Sequence, residues 1–343
     1  NKRDHMKSYY LVKKWNDPYQ AKAKLFTIFE DIFSVFQGSE ISYLDIENTH
    51  NMLYKHTLWS YKEMVKRNLY NNWESWDYSL GKFLDLFNQT NPSYPNENYS
   101  RELMQLFLML EYLPTESEDN GNTRNYSEED VNALAKILFW FESDENTHTV
   151  TYNKDKNTNK KVKFLDWNLK TWDSFPFYNE VTWEIDIQIL KNPINWNNWL
   201  PDNIIDYIFS KREYAISMFL ADRFYRFYIA ENPTRQELDT ISTKIIQNNF
   251  EIYPTIKWLL TSDMMYSDKS MNSINYKTPL DLSLWTANIF WLDFENVRIW
   301  SLINLWWNPY FPQSIFGRDW FDDNKSFFTA YTQTQWVMNL VFL

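Results

Sequence analysis

Residues 95–106 crowd a helix start, a run of hydrogen-bonding side chains and an apolar stripe into one short segment. Asn96 or Asn98 can cap a helix here by accepting from its free N–H groups. Glu97 stands where the positive end of the helix dipole favours a carboxylate. Arg101 follows Glu97 by four residues and Glu102 follows Asn98 by four, so each pair shares one helix face. Leu103, Leu106, Phe107 and Leu110 recur at helical spacing and predict a helix over residues 96–113 with one side buried. No other stretch is so dense in groups that can do chemistry.

The rest of the chain reads largely as helix. Leu25, Ile28, Phe29, Ile32, Phe33 and Phe36 predict a helix over residues 18–37. One or two more are expected over 40–68 and another over 73–87, before an Asn-, Pro- and Ser-rich loop at 88–95. Ser127, Glu128, Glu129 and Asp130 form a capping sequence ahead of Val131, Leu134, Leu138 and Phe141. Residues 147–152 are rich in β-formers, 153–160 are polar and 161–167 alternate, which predicts a β-hairpin at 148–167. A short helix is expected near 181–190. Helices resume at 202–209, 213–230, 234–249 behind the capping box that opens at Thr234, and 253–262. Pro279 suits the first position of a long helix that ends near residue 304, and a last helix starts at Asn324. The expectation is a mainly α fold: a single compact multi-helix domain over residues 1–343 with a small β-hairpin insertion at 148–167.

Composition removes several function classes. The net charge is -11 and no cluster of Lys and Arg breaks it, which argues against a nucleic-acid groove. The chain has no cysteine, so disulfides, thiolate catalysis and Cys-ligated zinc are all excluded. No apolar run reaches the roughly 18 residues of a membrane span. The polar start Asn1, Lys2, Arg3, Asp4 and His5 is not followed by the apolar core of a signal peptide. The histidines, His5, His50, His56 and His148, lack metal-site spacing, so neither metal nor cofactor is expected. No Gly-rich phosphate loop and no nucleophile elbow are present.

Asn96, Glu97, Asn98, Tyr99, Arg101 and Glu102 are therefore the candidate site. Such a network either holds two helices in register or positions a carboxylate for catalysis, and the residue types leave both open. Glu30 and Asp31 are expected on the surface of their helix, with a buried carboxylate at one of them as the alternative. Asp222, Arg223 and Arg226 fall opposite the apolar face of theirs, where Arg223 can reach toward the acidic helix start. Aromatic residues at 19% imply core packing first, with an aromatic groove around 167–199 as the alternative.

Pro95 through Leu103, followed by Tyr126, Ser127, Glu128, Glu129, Asp130 and Val131, resembles the signature PNENYARELxEL and YTEEDV of a large bacterial family. It is the domain-of-unknown-function family eighteen hundred. The likeness extends to residues 24–33, where the family has KMTLFWHNHF, and to His56, Thr57, Leu58, Trp59, Ser60 and Tyr61, where it has HALGNF. His56 thereby joins the candidate site. Residues 221–227, Leu259 to Ser262 and residues 312–317 also follow family elements. The family's N-terminus is longer, which implies that this chain begins inside a longer one. The resemblance implies a periplasmic or extracellular protein encoded beside a sulfatase-like protein, its implied partner. It implies no activity, and whether the chain is an enzyme stays open. A binding or assembly partner is one reading; a hydrolase using carboxylates of residues 96–105 is the other. Departures are clear: the family's HNH is Glu30, Asp31 and Ile32 here, its HD is absent around 156–159, and its KGW is Phe316, Gly317 and Arg318.

Glycine is scarce and tryptophan abundant, at 4 and 18 residues. Average usage of about 7% would give roughly 24 glycines. Together the two types number 22. Trp59 and Trp140 stand where the family has glycine. This pattern predicts that the source genome reads UGA as glycine and that the translated sequence carries tryptophan in its place. Misread positions should then show tryptophan at helix ends and turns, exposed or crowding their neighbours.

Overall fold

A computed structural model describes residues 18–33, 43–69, 78–91, 94–116, 124–139, 141–144, 146, 149–152, 161–162, 178–179, 184–186 and 200–273. The helices expected from Pro279 and Asn324, the family element at residues 312–317, Trp140 and most of the expected aromatic groove lie outside these residues.

The described chain is mainly α. It runs α1 (Gln20–Ile32), α2 (Tyr43–His56), α3 (Tyr61–Leu69), α4 (Tyr78–Phe83) and α5 (Asn98–Glu102), which continues into a π-helix at Leu103–Met109. Then come α6 (Glu128–Leu138), strands β1 (Phe141–Asp144), β2 (Thr149–Tyr152), β3 (Lys161–Val162), β4 (Tyr178–Asn179) and β5 (Glu184–Asp186), and helices α7 (Leu200–Tyr228), α8 (Arg235–Gln247), α9 (Ile252–Thr261) and α10 (Asp268–Met271).

Two capping boxes fix helix starts as their sequences predict. Ser127 Oγ accepts from the Asp130 N–H at 3.2 Å, and the Asp130 carboxylate accepts from the Ser127 N–H at 2.8 Å. Thr234 and Glu237 repeat the exchange at the start of α8. The helices expected at 202–209 and 213–230 form one element, α7, bent at Arg212, whose backbone (φ -128, ψ 24) leaves the helical range.

The β segments require two corrections. The hairpin pairs Phe141–Asp144 with Thr149–Tyr152, not 147–152 with 161–167. Lys161–Val162 instead pairs with Glu184–Asp186, which also pairs with Tyr178–Asn179. Of the helix expected near 181–190, the described residues Glu184–Asp186 form a strand instead. Cross-strand pairing depends on what lies alongside, and a short polar run such as Phe141–Asp144 carries little strand signal of its own.

The chain divides into two compact units. The first comprises the described parts of Asn1–Ser39, Arg223–Pro233 and Lys257–Leu343. Its α1 is buried continuously from Leu25 to Phe33, so the helix is enclosed on every side rather than along one stripe. Glu30 and Asp31 are consequently buried, at 5% and 4% exposure, and not on the surface as expected. Asp31 lies 3.9 Å from Arg223, which gives this buried carboxylate a cationic partner. Phe29 meets Phe224 edge to face at 6.4 Å.

The second unit comprises the described parts of Glu40–Asp222 and Thr234–Ile256. The starts of α3 and α9 meet in an antiparallel bridge between Ser60 and Glu251. The Tyr61 N–H donates to Phe250 O at 2.9 Å and the Ile252 N–H to Trp59 O at 2.8 Å. Phe209 of α7 meets Phe250 edge to face at 4.8 Å. Lys66 of α3 reaches both carboxylate oxygens of Asp206 on α7 at 3.0 Å and Glu63 at 3.1 Å. Ser217 of α7 and Ser242 of α8 share a buried hydroxyl contact at 2.6 Å. Glycine scarcity leaves its mark here: Asp85, Asn88, Leu110, Thr115, Asn249 and Phe250 all adopt positive φ. A Cβ at Gly81 would meet the outer edge of the Phe87 ring, which would have to shift to admit it.

Candidate functional site

The helix start at residues 95–106 faces the start of α6, and charged side chains join the two. Arg101 Nη1 donates to Glu128 Oε1 at 2.9 Å and Nη2 to Glu128 Oε2 at 2.7 Å. Nη2 also donates to Glu97 Oε2 at 3.2 Å, the predicted i−4 contact. The other oxygen of Glu97 accepts from Asn132 Nδ2 at 2.6 Å. Both oxygens of Glu97 and both terminal nitrogens of Arg101 are thereby engaged.

Asn96 takes the capping role. Its Oδ1 accepts from the Asn98 N–H at 2.9 Å, the first N–H of α5, and its own N–H donates to Gln89 Oε1 at 2.7 Å. Glu97 occupies the N-cap position without a side-chain cap bond. Tyr99 turns inward and is 2% exposed. Glu102 does not reach the Asn98 side chain; it stands half-buried and takes no hydrogen bond among the described residues. His56, at the end of α2, is buried and meets Trp59 edge to face at 5.0 Å. The structure thus joins Glu97 and Arg101 in one network with Glu128 and Asn132, has Asn96 cap the Asn98 N–H beside it, leaves Glu102 outside both, and sets Tyr99 and His56 in packed surroundings.

The electrostatics follow from these contacts. The bond from Arg101 holds the Glu128 carboxyl below its usual range, and Glu128 in turn holds the Arg101 guanidinium above its own. Burial raises the Glu102 carboxyl, against the opposing charge of Arg101. Burial also raises the Tyr126 phenol, reinforced by the charge of Glu111. Arg124 donates to the Tyr112 hydroxyl at 3.0 Å and pairs with Glu111 at 3.1 Å on the adjoining segment.

Three partners escaped the sequence reading. Glu128 reads there as a capping residue, and Asn132 and Gln89 carry no signal of their own. The separation of 27 residues between Arg101 and Glu128 hides their meeting from any local pattern. Among the described residues no group of three or more His, Asp or Glu is placed to hold a metal ion, and no helix is long and apolar enough to cross a membrane.

Residues 1–340 match the model of the family described as Protein of unknown function (DUF1800). No curated protein and no solved structure matches the chain.

Proposed function

The chain belongs to the DUF1800 family, and on that premise we propose that it is an exported bacterial binding or assembly protein. Its partner under this reading is the sulfatase-like protein that the family resemblance implies. The observation that carries it is the saturation of the helix start. Glu97 and Arg101 spend their polar atoms on Asn132 and Glu128, as a clamp between two helices does. The Glu128 carboxylate, held below its usual range by Arg101, is a poor base, because taking a proton means giving up bonds that favour its charged form. The test is co-expression with the sulfatase-like neighbour followed by size-exclusion chromatography. Co-elution in one peak supports the reading; separate elution of two folded proteins sinks it.

One observation favours the hydrolase instead. Glu102 is half-buried, takes no hydrogen bond among the described residues and has a carboxyl raised by burial, the condition of a general acid. Chromogenic carboxylic, phosphate and sulfate esters test it. Turnover that disappears in Glu102→Gln while the fold persists would establish this alternative.

A further inference from the structure

The π-helix at Leu103–Met109 is the least regular buried helix among the described residues of its unit. The carbonyls of its last turn have no partner within the helix, as at any helix end, and π segments are rare and concentrate at functional positions. Here two side chains from elsewhere meet them. The Tyr61 hydroxyl, fully buried at the start of α3, donates to Phe107 O. Asn125 Nδ2 donates to Met109 O at 2.9 Å and Leu110 O at 3.3 Å. Asn125 is itself clasped: Arg212 Nε, from the bend in α7, donates to its carbonyl at 2.7 Å, and its N–H donates to Glu111 O at 2.8 Å. Leu110 ends the segment at φ 57 and ψ 170, a region that side-chain-bearing residues rarely enter. A strained Leu110, the break in α7 at Arg212 and an irregular helix therefore converge on one buried amide.

We propose that residues 103–110 form a two-register helix, held in the π register by Tyr61 and Asn125 and relaxing toward α winding when either donor is withdrawn. The upstream end is tied to α6 by Arg101–Glu128 and Glu97–Asn132. Relaxation therefore passes out at Leu110 and displaces residues 110–116. That stretch ends at Glu116, which pairs with Arg235 at the start of α8, so the register of a buried helix is read at a partly exposed ion pair. Asn125 acts as the latch and Tyr61 as its second point of hold.

Hydrogen exchange followed by mass spectrometry on the full chain tests this. In Asn125→Asp and in Tyr61→Phe, amides of residues 110–116 should exchange at least about tenfold faster than in the parent, while those of residues 104–109, hydrogen-bonded in either winding, and of α8 change little. Ser217→Ala removes a buried hydrogen bond between α7 and α8 and should leave residues 110–116 at the parental rate. If residues 110–116 speed up no more than residues 104–109 in either latch variant, or if Ser217→Ala speeds them equally, the two-register helix is wrong. Should Asn125→Asp fail to fold, Tyr61→Phe, which deletes a single hydroxyl, decides alone.

Discussion

Arg101 grips both oxygens of Glu128, at 2.9 and 2.7 Å, across 27 residues of chain. The bond joins the two halves of the sequence signature and sets the spacing between α5 and α6. A lysine cannot reproduce this fork, since it offers one compact ammonium. Both side chains are partly exposed, which limits what the pair contributes.

Arg101→Lys is therefore expected to cost about 1 kcal/mol in urea unfolding, with a coupling to Glu128→Gln of about 0.5–1 kcal/mol in a double-mutant cycle. The pH dependence has a defined sign. Glu128 has a lowered folded pKa, so its contribution is present above the unfolded value of about 4.3 and fades as pH falls through the lower folded value. Acid titration of Arg101→Lys should lose that component. No coupling in the cycle would show that the fork is incidental.

Glu102 has the opposite linkage. Its raised folded pKa means that the folded state holds its proton more tightly, so stability falls as pH rises from about 4.3 through the folded value. Glu102→Gln removes the penalty. The variant should melt higher than the parent at neutral pH, and the difference should vanish toward about pH 4. A variant that melts lower at neutral pH would mean that the carboxylate makes a stabilising contact.

What the sequence made legible depends on distance along the chain. The capping boxes at Ser127 and Thr234 and the Glu97–Arg101 pair lie within one helical turn and were readable. Burial of Glu30 and Asp31 was not, because periodicity assumes one solvent face and α1 has none from Leu25 to Phe33. The π winding was hidden for a related reason: Leu103, Met104, Leu106, Phe107, Leu108 and Met109 are all buried, so Gln105 alone is left to mark the register. Of the candidate site, the network of Asn96, Glu97 and Arg101 was legible, whereas Asn132, Gln89 and the latch at Asn125 emerge only from tertiary contacts.

Lys66 holds Asp206 and Glu63 from a nearly buried position on α3. Burial pushes its ammonium down, but Asp206 and Glu63 outweigh that and hold it above its usual value. Lys66→Met should cost about 2 kcal/mol, because among the described residues Asp206 keeps only Lys62 as a cationic partner. The loss is expected throughout neutral pH. In the parent, the Lys66 contribution is fully present below about 10.4 and disappears as pH rises through the folded value. Guanidinium unfolding at about pH 7 and about pH 11 checks both statements.

Trp59 is 56% exposed in the turn between α2 and α3, the setting expected of a recoded glycine. Mass spectrometry of the protein from its natural source should find glycine at position 59 in the peptide spanning residues 56–62. Tryptophan in that peptide, or UGG codons at most of the eighteen positions, ends the idea. In the recombinant protein, Trp59→Gly should cost about 1 kcal/mol, since part of the ring is covered and meets His56 edge to face.

The enclosure of α1 also sets an order of assembly. Its fully buried Phe29 waits for Phe224, roughly two hundred residues later, and such distant closure is slow. On the ribosome α1 emerges well before Arg223, Phe224 and Phe227, which meet Asp31, Phe29 and Lys24. During that interval Phe29 and Asp31 lack these partners. A nascent chain of this protein is thus a sustained client for whatever shields apolar segments during synthesis.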